Sequence, residues 1–146
     1  MKVIVLDSKN ANKIINHFVA YGFSRFIVFT DNEKIDTAYY RLNNIEVLPV
    51  KSFGAESTRD KLLKIKGSLT GRFFIVYSSQ ITDFFLDDVV LKHLLSQKAV
   101  TLIQSSNRLC SALVEEELFD YIGMSTDIER EVLMRIGEDS ELAIYN

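Results

Sequence analysis

One cysteine, one proline and two histidines are all that the 146 residues hold of residue types that often announce a function. A lone Cys110 excludes an internal disulfide framework, and its apolar neighbours Leu109, Ala112 and Leu113 make it a small buried hydrophobe. His17 and His93 have no Cys, His or acidic residue at metal-ligand spacing, so exposed or satisfied histidines are expected. No stretch approaches the roughly 20 apolar residues that cross a bilayer. The amino-terminal apolar run turns polar at Asp7, short of the about 7–15 apolar residues of a secretory signal. A cytoplasmic location and no membrane partner are therefore expected. Basic clustering is also missing: the net charge is −3 and the pI about 5.4. The densest basic stretch, Arg59 to Lys66, contains Asp60 and reads as the wet face of a helix, so no nucleic-acid partner is expected.

What is present is ordinary globular material. Hydrophobic residues make up 47% and charged residues 25%, with ten Phe and six Tyr for one core. The length fits a single domain over residues 1–146. Apolar runs alternate with helical faces. Val3–Leu6 reads as a strand covered on both sides, and Ala11, Ile14, Ile15, Phe18 and Val19 as one face of a helix ended by Gly22. Phe26–Phe29 is a second strand, with Asp31 and Asn32 opening a short helix through Tyr39 and Tyr40. Ile45–Leu48 is a third strand, closed by Pro49; a helix after Gly54 is opened by Ser57 or Thr58.

Phe73–Tyr77 is the most hydrophobic strand, expected at the centre of the sheet. Leu86, Val89, Val90, Leu94 and Leu95 mark a further helix, followed by strands at Val100–Ile103 and Leu109–Val114. Leu118, Phe119 and Ile122 share a helical face. Thr126 and Glu129 fit a capping box for a helix that buries Ile128, Val132, Leu133 and Ile136, and Leu142–Tyr145 is a last strand. This alternation implies an α/β, three-layer, Rossmann-like arrangement: a mostly parallel central sheet with helices on both faces.

In this order the segments resemble the sugar-1-phosphate nucleotidyltransferases. Asn10 to Thr30, NANKIINHFVAYGFSRFIVFT, is similar to that family's "K-P-L-I-E-H-x-L-E-x-L-x-x-A-G-F-x-x-I-V-V-x-T". Ala55 to Ile103 resembles its next loop, helix and strand, and Ser125 to Tyr145, STDIEREVLMRIGEDSELAIY, its closing "S-L-E-R-E-V-L-P-x-L" helix and strand. The resemblance implies a nucleotidyltransferase fold. In the family it goes with transfer of a nucleotidyl group to a sugar 1-phosphate in the presence of Mg²⁺.

The chain departs from the family where the chemistry sits. The Gly-rich basic loop "G-x-G-T-R-x-x-P" is replaced by Asp7-Ser8-Lys9-Asn10, and phosphoryl-type transfer depends on such positioning. Ser78 and Ser79 stand where the family presents a metal-binding aspartate, and a neutral hydroxyl is a poor ligand for a hard cation. Asp83 is a weak metal candidate; Asp83, Asp87 and Asp88 read foremost as a turn and helix cap. The middle insertion has no counterpart between Ile103 and Leu109. Ser57 and Thr58 replace the base-facing "G-T" and read as helix caps that could also donate to a ligand.

Ligand-binding candidates are therefore Asp7, Ser8 and Lys9, at a strand end where open α/β sheets bind ligands, with Ser57, Thr58, Ser78 and Ser79. Glu115, Glu116 and Glu117 read as a solvated run at a helix start. A receiver-type phosphoacceptor role for Asp7 lacks the acidic pair and the late lysine it needs. The resulting expectation is a non-catalytic binding or regulatory module, connected with nucleotide-sugar or surface-polysaccharide synthesis. It has no resident cofactor and takes a nucleotide or sugar phosphate as ligand. The alternatives are an active nucleotidyltransferase or phosphosugar-handling enzyme with altered residues, using Mg²⁺, and an unrelated Rossmann-like interaction domain. Loss of the loop and insertion should also uncover apolar surface around Phe53, Phe84, Phe85 and Tyr39–Tyr40. A homodimer or a protein partner is expected to cover it.

Overall fold

The computed structural model describes residues 1–31, 35–52, 56–106, 108–118 and 142–145. Seven strands are β1 (Lys2–Val5), β2 (Arg25–Thr30), β3 (Glu46–Lys51), β4 (Phe73–Val76), β5 (Val100–Ser105), β6 (Arg108–Val114) and β7 (Leu142–Tyr145). They form one sheet in the order β3-β2-β1-β4-β6-β5-β7. Four α-helices among the described residues are α1 (Ala11–Ala20), α2 (Thr37–Leu42), α3 (Thr58–Ile65) and α4 (Leu86–Ser96).

Because side chains alternate along a strand, each apolar run feeds both faces of the sheet. Val3, Val5, Phe26, Val28, Phe74 and Val76 meet Ile15 and Phe18 of α1 and Leu86 and Val89 of α4. On the opposite face Ile4, Ile27, Phe29 and Ile75 meet Leu62 and Ile65 of α3. Phe73–Val76 is buried throughout and lies between β1 and β6, the central place its composition implied. This is the three-layer mixed α/β arrangement read from the sequence.

Local chemistry explains the boundaries. Tyr21 ends α1, and Gly22 follows at a φ of 91°, its N–H donating to the Val19 carbonyl at 2.9 Å; a side chain would be strained there. The cap of α2 is Asp36, which accepts from Tyr39 N at 3.0 Å, and not the Asp31–Asn32 pair expected. Pro49 does not close β3: the strand runs through it to Lys51. β3 is an outer strand of the sheet, and an edge tolerates a residue that cannot donate to a ladder.

β6 runs antiparallel to both β4 and β5. Its link to β5 is a hairpin turn through Ser106, too short for the crossover that a parallel pair requires. β7 returns parallel to β5. Phe53 and Gly54, the Phe119–Ile122 face, the Thr126–Glu129 capping box and the helix after it lie outside the described residues.

One polar expectation changes, that of Glu115, while His93 is a satisfied histidine as expected. Glu115 is not part of a solvated run: its Oε1 takes a 2.7 Å ion pair from Arg72 Nε and lies 3.0 Å from His93 Nε2. His93 is 1% exposed, and its Nδ1 lies 2.7 Å from Thr101 Oγ1. An ionised Glu115 only accepts, so Nε2–H donates to it and Nδ1 accepts from the Thr101 hydroxyl. Burial pushes the His93 imidazole below its ordinary value, against the pull of Glu115. Burial alone would raise the Glu115 carboxyl, but the contacts with Arg72 and His93 outweigh it and hold it low.

Both shifts have the same sign for stability. The unfolded chain takes a proton at His93 below about pH 6.5 while the folded chain resists it, so stability is complete above that value and falls with acid. Glu115 adds a further loss at lower pH, where its folded carboxyl protonates. The thermal midpoint should therefore be level near neutrality and fall below about pH 6.5, and His93→Gln should remove the first part of that fall. A wild-type midpoint that does not move between neutrality and about pH 5 would contradict the network.

Candidate functional site

Parallel strands put the carboxyl ends of β1, β2, β3 and β4 on one edge, and the surviving polar candidates gather there. From β1 the chain reaches α1 through Leu6 to Asn10 alone. Asp7 Oδ1 accepts from the Lys9 backbone N–H at 3.0 Å, and the Ser8 carbonyl accepts from Ala11 N at 3.0 Å. Asn10 completes the turn in the left-handed region, φ 64°, which asparagine tolerates. This connection folds tightly on itself, and no side chain caps α1.

At the end of β4, Tyr77 and Ser78 donate their backbone N–H groups to the Cys110 carbonyl at 2.9 and 3.1 Å. Ser78 Oγ accepts from Gln80 N at 3.2 Å and so opens the 3₁₀ turn Ser79–Asp83. Asp7, Lys9, Ser78 and Ser79 line one cavity of about 190 Å³ at this place. A second cavity of about 230 Å³ is lined by Asp7, Ser8, Asp31, Ser52 and Lys61. Asp7 borders both: the first opens toward α1 and the second toward α3, on opposite faces of the sheet, and they adjoin at the end of β1 as a two-sided polar depression.

Lys61 is the residue that sequence reasoning missed. Within the basic run of α3 it counted as part of a wet face, yet it is half-buried. Its Nζ donates to the Leu6 carbonyl at 3.1 Å and lies 5.9 Å from the centre of the Phe29 ring. The signal was available in the helical period: Lys61 precedes the buried Leu62 and lies one turn before the buried Ile65, on the border of the face that packs on the sheet. Ser8 is 8% exposed. Asp31 and Ser52, also in this cavity, belong to strand ends whose meeting only the sheet order reveals.

The other candidates stand apart. Ser57 Oγ accepts from Asp60 N at 3.1 Å and is the cap of α3, with Thr58 as the first helical residue. Neither Ser57, Thr58 nor Asp83 is among the residues that line the two cavities. Asp83 is exposed at the end of its 3₁₀ turn. Among the described residues no three His, Cys, Asp or Glu side chains group closely enough to hold a metal ion. No described helix is long and apolar enough to cross a membrane.

No family model and no curated protein matches the sequence. Solved structures match the fold. A Bacillus anthracis protein assigned as a glucose-1-phosphate thymidylyltransferase, solved with sucrose, aligns at a TM-score of 0.69 and 7% identity, covering 99% of this chain and 85% of its own. Rv0371C of Mycobacterium tuberculosis, solved with manganese, gives 0.55 at 9% identity, with 99% and 86% covered. A Desulfovibrio desulfuricans protein assigned as a nucleotide-diphospho-sugar transferase gives 0.54 at 11%, with 99% and 79% covered. Identities this low establish a nucleotidyltransferase-like fold and nothing finer.

The assignment of Ser57 as a cap has a measurable consequence. Ser57→Ala should lower unfolding stability by about 1 kcal/mol and leave any ligand response at the depression unchanged. A ligand response lost with this variant would return Ser57 to the site.

Proposed function

We propose that this chain is a nucleotidyltransferase-like binding or regulatory module that holds a nucleotide or sugar phosphate without turning it over. A place in nucleotide-sugar or surface-polysaccharide synthesis accords with that ligand class. The observation that carries the reading is the short turn from β1 to α1, in which Asp7 folds back on Lys9. It leaves no run of backbone donors to cradle a triphosphate and no arginine to offset charge at the reacting phosphorus.

The polar groups that remain suit binding. Lys61 and Lys9 offer ammonium groups to a phosphate, and Ser8 offers a hydroxyl held in place by burial. Asp7 and Asp31 offer carboxylates that accept from sugar hydroxyls.

The family's Mg²⁺ fits this donor set poorly. Ser79, at the metal aspartate's position, offers only a neutral hydroxyl, Ser78 beside it has its hydroxyl engaged with Gln80 N, and Asp7 has one oxygen engaged with Lys9 N. Hard divalent cations take six or more oxygen ligands, carboxylates first. No step of the proposed function involves a metal.

A thermal-shift screen of nucleoside triphosphates, nucleotide sugars and sugar 1-phosphates, with and without Mg²⁺, tests the proposal. A ligand present at about 100 times its Kd stabilises the fold by about 2.7 kcal/mol. The expected result is a rise in midpoint with at least one of these compounds, independent of Mg²⁺ and lost in Lys61→Met, and no release of pyrophosphate. Turnover that Asp7→Asn or Asp83→Asn abolishes would establish the enzyme instead. No shift with any compound would leave the interaction domain.

A further inference from the structure

Of the aromatic surface expected around Phe84, Phe85 and Tyr39 are exposed, at 68% and 58%. Phe84 is half-buried against the core, and Tyr40 is buried with its hydroxyl on Asn12 Oδ1 at 2.6 Å. The larger exposed set is on α4, where Leu91, Leu94 and Leu95 are 55%, 47% and 75% exposed. The helix buries Leu86, Val89 and His93 on one side. At about 100° per residue, the three leucines fall together on the other side. Asp88, Leu91, Lys92 and Leu95 line a shallow groove of about 420 Å³ along it. Charge runs along the same helix: Asp87 and Asp88 at its start, Lys92 within it and Lys98 just past its end.

We propose that this face is the contact of a two-fold homodimer in which α4 packs antiparallel against α4 of a second copy. The pattern is self-complementary in that direction alone. A two-fold axis beside His93 sets Leu91 opposite Leu95 of the second copy, and brings Asp88 to the carboxyl end of the second α4, past which its Lys98 follows. A parallel pair would instead bring the acidic ends together, where like charges repel. An isologous contact uses each patch twice, so three leucines per copy become a six-leucine seam flanked by two opposite-charge pairs. Phe85, 68% exposed at the head of α4, is off this stripe and is not needed for it. The leucines occupy the carboxyl half of α4, which leads to Ala99 at the sheet edge opposite the polar depression. Pairing therefore leaves the depression open in both copies. The inference stands independently of the ligand.

Sedimentation velocity over a range of concentrations tests it. The wild-type protein should associate to a dimer. Leu91→Lys combined with Leu95→Lys should weaken the dimer by roughly a hundredfold or more, since four leucines leave the seam. Its thermal midpoint should hold, because both side chains are exposed. Asp88→Lys and Lys98→Asp should each weaken self-association, and mixing the two variants should restore a dimer through opposite charges. A monomer at every concentration, a dimer indifferent to the double leucine change, or a mixture that fails to associate would each overturn the proposal.

Discussion

Burial of β1 and β4 on both faces is the constraint on which the remaining structure depends. Val3, Ile4, Val5, Phe73, Phe74, Ile75 and Val76 are each at most 1% exposed, so no alternation of these strands can face water. Helices must therefore cover both sides of the sheet, and consecutive parallel strands must be joined by segments that pack back on it. That requirement brings the exits of β1, β2, β3 and β4 to one edge. Asp7, Ser8, Asp31, Ser52 and Ser78 meet there although they are scattered along the chain. The same packing lays α3 across β1 and β2, with Lys61 stretched over Phe29 to the Leu6 carbonyl.

Much of this was legible because two-sided burial leaves a plain mark: unbroken apolar runs for β1, β2 and β4, a 3.6-residue period for α1 and α4, and Gly22 at the end of α1. Ser57 as the cap of α3 was legible for a similar local reason. The errors came where context overrode a local signal. Pro49 breaks a ladder only if it has neighbours on both sides, and β3 has one. Glu115 looked solvated in a run of three glutamates, because nothing local announces that Arg72 and His93 converge on it. His93, on the buried side of α4, draws Thr101 from β5 and Glu115 from just past the end of β6, a meeting no local signal shows. Lys61 was misread because a lysine's long stem lets its charge travel from a helix border to a strand end.

The candidate site follows the same division. Asp7, Ser8 and Lys9 could be placed from the end of the first strand, and Ser78 and Ser79 from the end of the central one. That these two groups face one depression, and that Asp31, Ser52 and Lys61 complete it, depends on strand order and helix placement. The fold is shared with solved nucleotidyltransferase-like proteins; the tight turn after β1 and the hydroxyl after β4 set this chain's chemistry apart from the family it resembles. On the proposed reading, a scaffold that keeps the ligand edge and shortens the loop holds a ligand rather than stabilising the charge that develops during transfer.

The claim that this depression is the binding site is tested most directly by backbone amide chemical-shift mapping as a nucleotide or sugar phosphate is added to the ¹⁵N-labelled protein. The account predicts progressive shifts at Ser8, Lys9, Ser52 and Ser78, with little change along β3 or the outer face of α4. Shifts centred on Ser57 and Thr58 or on α4, with Ser8 and Ser78 unmoved, would contradict it.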